Sequence, residues 1–215
     1  MGEIVYKANN NLYLNITNRC TANCIFCLKH HTNGAYGYNL KLEQEPTLEE
    51  VLKVLEKLNL HSYQEIVFTG LGEPLLRLEL VLDITRWLKK HGCKQVRIDT
   101  NGHAPLIHPH RNVATELAQA GIDTVSISLN AHNQETYNLL CQPKFKNAFS
   151  TILAFARQLK KTGIKTRFTI VDLPMVDIKT CQKLAQKTGA DFKIRKYSKP
   201  PTKPPCNLHR DLQRK

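Results

Sequence analysis

Leu12-Tyr13-Leu14-Asn15-Ile16-Thr17-Asn18-Arg19-Cys20-Thr21-Ala22-Asn23-Cys24-Ile25-Phe26-Cys27 is the stretch from which the rest of the chain is read. Residues 12–16 form a short apolar run with partial alternation, the pattern of a strand. A loop follows at the strand's C-terminal end, with its cysteines spaced C-x3-C-x2-C. Three thiolates this close in sequence can converge on one metal centre unaided. Thiolates are soft ligands that suit iron–sulfur clusters or zinc. A structural zinc site closes with a fourth ligand, and a four-iron cluster ordinarily takes four cysteines. The loop offers three, and the next cysteine is Cys93. Two readings stay open on these residues alone. One is a zinc knuckle completed by His30 or His31. The other is a cluster with one iron left for a small molecule.

Working outward, residues 28–46 read as irregular and long for a connection in a compact domain. Thr47 and Glu50 form a capping box. Leu48, Val51, Leu52, Leu55 and Leu58 then recur at helical spacing. Strands are expected at 65–69, 95–99, 123–129, 165–171 and 191–195. Helices are expected near 79–90, 112–120, 134–141 and 146–161, and from Asp177 to a stop at Gly189. Six strands alternating with helices predict parallel βαβ units with right-handed crossovers. No G-x-G-x-x-G follows the first strand, so a dinucleotide fold has no positive sign.

In parallel α/β barrels function gathers at the C-terminal strand ends. The unusual segments all fall there. The cysteine loop follows the first strand, Gly70-Leu71-Gly72-Glu73-Pro74 the second and Asp99-Thr100-Asn101-Gly102 the third. Ser128-Leu129-Asn130 ends the fourth. Taken alone, each has a bland reading as an ordinary turn, helix cap or satisfied strand end.

The cysteine spacing, with Phe26 just before the third cysteine, resembles the signature of the radical S-adenosylmethionine (radical SAM) enzymes. The resemblance implies an α/β fold, a partial, open parallel barrel of about six βα units. It implies a 4Fe–4S cluster on Cys20, Cys24 and Cys27, with SAM on the fourth iron. One electron then cleaves SAM to methionine and a deoxyadenosyl radical, which takes hydrogen from a substrate. Gly70, Gly72 and Glu73 resemble the family's segment at the amino end of SAM, with Leu71 splitting the glycines. A glycine there lets backbone carbonyls approach a ligand. The resemblance places Asp99 near the SAM ribose, Asn101 among the SAM contacts, Ser128 and Asn130 near its ribose or carboxylate, and Phe26 near its adenine. Leu173-Pro174-Met175 stands where a glycine-bearing segment is more usual, so no fifth-strand contact is assigned. The opening segment and Gly37-Tyr38-Asn39-Leu40 look like the small radical SAM proteins associated with TatD-family nucleases. Such an enzyme needs a one-electron donor of flavodoxin or ferredoxin type. Its substrate class stays open among nucleic acid, nucleotide and protein.

Bulk properties bound the rest. The 215 residues suit one domain, read as a core over 1–196 with a basic, proline-rich tail over 197–215. From Lys193 onward there are eight Lys/Arg against one acid. The formal charge of +13 favours polyanions or acidic substrates. It keeps a cluster- or zinc-stabilised nucleic-acid adaptor, and an activating enzyme with a protein substrate, as alternatives. Seven unevenly spaced cysteines are not a disulfide framework, and neither a signal segment nor a membrane span is visible. A reducing cytoplasm is the expected setting. Cys93, Cys141 and Cys181 read as structural. Cys206 reads as a tail thiol, and His103, His108 and His110 as solvated loop histidines.

Overall fold

The computed structural model describes residues 2–197. The tail after Tyr197, with Cys206 and the predicted domain boundary's far side, lies outside the described residues. The chain runs β1 (Val5–Ala8), β2 (Asn11–Leu14), β3 (Gly34–Ala35), β4 (Tyr38–Asn39), α1 (Leu48–Leu55), β5 (Ile66–Phe68), α2 (Leu78–Lys90) and β6 (Val96–Thr100). It continues with α3 (Ala104–Ile107), α4 (Val113–Ala120), β7 (Thr124–Ser128), α5 (Gln134–Cys141), α6 (Ala148–Lys161), β8 (Lys165–Val171), α7 (Ile178–Thr188) and β9 (Asp191–Arg195).

Seven strands form one sheet in the order β1-β2-β5-β6-β7-β8-β9. All neighbours from β2 onward are parallel, which gives the six parallel strands expected. The order is sequential and its two ends do not pair, so the barrel is open. Helix starts follow the sequence signals. Thr47 and Glu50 close the capping box of α1 reciprocally, and Asp177 caps α7 through Thr180. Gly121 and Gly189 end α4 and α7 with left-handed φ of 98° and 68°.

Two features depart from expectation. The sheet gains an antiparallel edge strand, β1, joined to β2 through Asn9 and Asn10. Both asparagines have positive φ, 49° and 61°, as a two-residue hairpin turn of this hand requires. The stretch 28–46 is also more ordered than its composition suggested. It holds a short 3-10 turn and the β3–β4 hairpin, which turns at Tyr36 and Gly37 with positive φ.

The two faces of the sheet differ. Leu12, Leu14, Ile66, Phe68, Val96, Ile98, Val125, Ile127, Phe168 and Ile170 are buried under the helices in one core. Alternate positions face the barrel interior. There Tyr6, Tyr13, Val67, Leu40 and Leu71 form a second, smaller cluster, onto which Ala35 and Tyr38 of the hairpin pack. Tyr6 stacks on Tyr13 at 5.0 Å and meets Tyr38 at 5.6 Å. The hairpin therefore fills the barrel beside β1, β2 and β5. The half beside β6 to β9 stays open.

Candidate active site

A cavity of about 440 Å³ opens at the C-terminal ends of the parallel strands. That volume lies within the usual span of small-molecule sites. Cys20, Cys24, Cys27 and Phe26 line it from the first loop, and Gly70, Gly72 and Glu73 from the second. Asp99 and Asn101 line it from the third strand end, and Ser128 and Asn130 from the fourth. The eleven residues the sequence singled out as cluster or SAM contacts thus line one cavity.

The cysteine loop is held on both sides by the main chain. Asn23 N donates to Cys141 O at 3.0 Å, Ile25 N to Leu140 O at 3.0 Å and Lys144 N to Thr21 O at 2.9 Å. These bonds pin it to the C-terminal end of α5. On the other side Asn18 exchanges hydrogen bonds with the Leu42 main chain at 2.7 and 3.2 Å. Cys141, read as structural, instead lines the cavity beside Cys24. Contact with Cys141 first, and burial second, push the Cys24 thiol well above its ordinary range. Burial pushes Cys20 up to about 11 and raises Cys27 as well.

Gly70 and Gly72 are needed for packing within the protein. A Cβ on Gly70 would collide with Asn15 Oδ1. One on Gly72 would collide with the carbonyl oxygens of Thr17 and Arg19. Glu73 N donates to that same Arg19 oxygen at 2.7 Å. The Glu73 carboxylate is buried and committed: Thr100 Oγ1 (2.7 Å) and Leu75 N (3.1 Å) donate to Oε1, and Asn101 N (2.7 Å) to Oε2. Burial still pushes its carboxyl up to about 7, against those three donors. Glu73 is thus the buckle between the second and third strand-end loops.

From that buckle a chain of bonds runs back to the cysteines. Asn101 Nδ2 donates to Thr21 Oγ1 at 2.9 Å and lies 3.6 Å from Cys20 Sγ. Thr21 Oγ1 pairs with His103 Nδ1 at 2.9 Å, and His103 Nε2 with the Tyr137 hydroxyl at 2.7 Å. His103 is therefore no solvated loop histidine. It is fully buried, and burial pushes it down to about 4. His108 is half-buried and bonded to Leu75 O at 2.8 Å, and only His110 lies out in solvent as expected.

The inner face supplies charge. Arg97 Nε donates to Glu65 at 3.1 Å, and its Nη1 to Asp99. Burial raises the Asp99 carboxyl, while Arg97, Arg195 and Arg167 oppose it. Arg195, Tyr137 and Tyr197 also line the cavity, and no pattern in the sequence pointed to them.

The donor set tests the metal alternatives. His30 lies on the 3-10 turn and is exposed, and His31 reaches the cavity rim. Among the described residues no three Cys, His, Asp or Glu side chains are grouped as a single metal ion would require. A cluster offers each thiolate a different iron, so three cysteines along one wall of a ligand-sized cavity fit it.

The family model for the radical SAM superfamily matches residues 14–187. The chain belongs to the radical SAM superfamily. Its cofactors are accordingly a 4Fe–4S cluster and SAM. Among its relatives is a Thermoplasma volcanium protein named "Probable GTP 3',8-cyclase", 28% identical over 86% of this chain and 53% of the relative. One of the same name from Saccharolobus solfataricus is 33% identical over 78% of this chain and 46% of the relative. The chain thus spans about half the length of these curated relatives. A solved structure titled "Native anSMEcpe with bound AdoMet" superposes with a TM-score of 0.63 at 18% identity, over 86% of this chain and 51% of that one. It shares the open-barrel fold. No helix among the described residues of this radical SAM protein is long and apolar enough to cross a membrane.

Proposed function

We propose that this chain is a radical SAM enzyme whose cluster sits on Cys20, Cys24 and Cys27, with SAM in the cavity beside it. The observation that carries the reading is convergence. Four strand-end segments, far apart in sequence, meet in one cavity of suitable volume. Bound there, the cluster and SAM supply a deoxyadenosyl radical that abstracts hydrogen from a substrate. The protein's own part is placement. The α5 contacts fix the cysteine loop, and the Glu73 buckle sets the height of Asn101 above it. Asp99 offers a carboxylate to the ribose hydroxyls. Ser128 and Asn130 offer polar atoms at the ribose or carboxylate end, and Phe26 an apolar face to the adenine. The Gly70–Glu73 turn presents backbone oxygens to the SAM ammonium.

A one-electron donor of flavodoxin or ferredoxin type, in a reducing cytoplasm, completes this reading. The kinship with TatD-associated proteins rests on the opening segment and residues 37–40. If the relatives' named activity extends to this half-length chain, GTP is consumed. If it acts as an activating enzyme, a partner protein is.

Anaerobically reconstituted protein should absorb broadly in the visible and, with dithionite and SAM, release deoxyadenosine. Cys24→Ala should abolish both. Cys141→Ala should keep both, because three thiolates suffice. A colourless protein that holds zinc refutes the reading, and so does a Cys141→Ala variant as empty as Cys24→Ala.

A further inference from the structure

We propose that the hydrogen-donating substrate carries an oxyanion, a phosphate or a carboxylate, that docks on Arg195 and Tyr197 at the cavity mouth, with Arg167 deeper in the same open half of the barrel. The inference rests on the radical SAM reading of the same cavity and extends it to the substrate's charge.

Unpaired donors recur along the inner face of the open half. Three side-chain atoms among the described residues are buried without a partner, and two of them are Arg167 Nε and the Tyr197 hydroxyl. A buried donor without an acceptor is costly and uncommon. The Tyr197 hydroxyl lines the cavity mouth, and Arg167 lies deeper on the inner face, so both ends of the open half hold a donor that another molecule could complete. Arg195 adds a third under-used group. Among the described residues its Nη2 makes one long hydrogen bond, to Ser128 Oγ at 3.4 Å. Arg97 is the contrast on the same face, since it pairs with both Glu65 and Asp99.

The register shows how these donors are spread. Arg195 pairs with Val171 at the cavity mouth. Arg167 lies four residues further down β8, level with Ser126 and Asp191. At the usual strand rise that is about 13 Å of depth. Asp99 lies opposite Ser126, on the Arg167 level. Arg167, Asp191 and, four residues on, Arg195 fall on the same face of the sheet as Asp99. Asp99 itself is already engaged by Arg97. Guanidinium forks match oxyanions in two-point contacts, and a tyrosine hydroxyl adds a third donor. SAM carries a carboxylate of its own, so it is the rival ligand for Arg195.

The test uses the full chain with its cluster and saturating SAM, without reductant. Inorganic pyrophosphate and, separately, succinate are titrated calorimetrically at fixed ionic strength. One of the two should bind. Arg195→Gln and Arg167→Gln should each weaken that binding about tenfold, a typical loss for a charge-assisted hydrogen bond. Arg195→Lys, which keeps the charge, should lose less. Lys161→Gln, on the outer end of α6, should change nothing. SAM affinity measured without the probe should be unaltered in Arg195→Gln. Cluster content and melting temperature identify variants that fold. The inference is overturned if neither probe binds, if Lys161→Gln weakens binding equally, or if Arg195→Gln weakens SAM as much as the probe. A chain that cleaves SAM yet binds neither probe loses this inference alone. A chain that builds no cluster loses the parent reading as well.

Discussion

The two faces of the sheet are made by the same strands and do opposite work. On the helix-covered face, Phe68, Val96, Ile98, Ile127 and Phe168 are fully buried among apolar neighbours. On the inner face, the alternate positions of β6 to β8 are Arg97, Asp99, Ser126, Arg167 and Thr169. A period of two lets one five-residue strand serve both. The difference teaches where stability and chemistry are kept apart. Burial under the helices holds the fold, so the interior is free to carry charges that weaken it. The inner face is itself divided. Tyrosines and the β3–β4 hairpin close the β1–β5 half, and ligand-facing polar groups keep the other half open.

The sharpest way to break this comparison is to damage the apolar face. Phe168→Ala should cost about 3–5 kcal/mol of stability. Phe168 is completely buried and lies in the main core. Urea unfolding of the cluster-free chain under anaerobic reductant measures this. A loss similar to that of an inner-face variant would erase the division of labour.

The second test concerns pH, because the inner end of the barrel hides two groups shifted in opposite directions. The Glu73 carboxyl rises from 4.5 to about 7 on folding. Its contribution is present below pH 4.5 and is lost as pH rises towards 7. The His103 imidazole falls from 6.5 to about 4. Its contribution is present above pH 6.5 and is lost as pH falls towards 4. Over their shared window, about pH 4.5 to 6.5, the two slopes cancel. Each alone is about 1.4 kcal/mol per pH unit. Relative to wild type, His103→Gln should make stability fall with rising pH, and Glu73→Gln should make it rise. Denaturant titrations at several pH values read both slopes. Equal slopes in the two variants would mean that neither group is shifted as stated.

Much of this was legible in the sequence because it is local. The capping box at Thr47 and Glu50, the stops at Gly121 and Gly189 and the C-x3-C-x2-C loop are short-range patterns. Strand-end placement then picked out eleven residues that line one cavity. What escaped was set by long-range contact. Nothing in the spacing of His103 or Tyr137 says that they meet each other beneath the cysteine loop, 34 residues apart. Cys141 looked like any small buried cysteine until α5 was laid against the loop. Gly70 and Gly72 were found, yet for an incomplete reason, since the atoms that forbid a Cβ belong to Asn15, Thr17 and Arg19. The β1 hairpin was the one avoidable miss. Asn9-Asn10 between two strand-like runs is a recognisable turn signal.

A smaller effect is expected when the Glu73 buckle is loosened at neutral pH. Its two oxygens accept from three donors. A glutamine has one acceptor oxygen, so its amide nitrogen must face at least one of those donors. Glu73→Gln should therefore cost about 1–3 kcal/mol. It should also loosen Asn101 over Cys20, seen as lower iron retention after reconstitution.

The smallest expected effect is the most telling for the inner face. Arg167 is half-buried with Nε unpartnered, so the folded chain gains little from it. Replacing a partly buried charge that lacks a close hydrogen-bonding partner with an apolar side chain of similar length costs little. Arg167→Met should leave stability within about 1 kcal/mol of wild type, or raise it. The same variant should lose oxyanion binding. Urea midpoints and pyrophosphate or succinate titrations on one preparation separate the two. A stable variant that no longer binds places Arg167 among residues kept for a ligand at no benefit to the fold. A variant as unstable as Phe168→Ala would instead make Arg167 a structural member of the sheet, and the contrast between the faces would fail at its most strongly charged point.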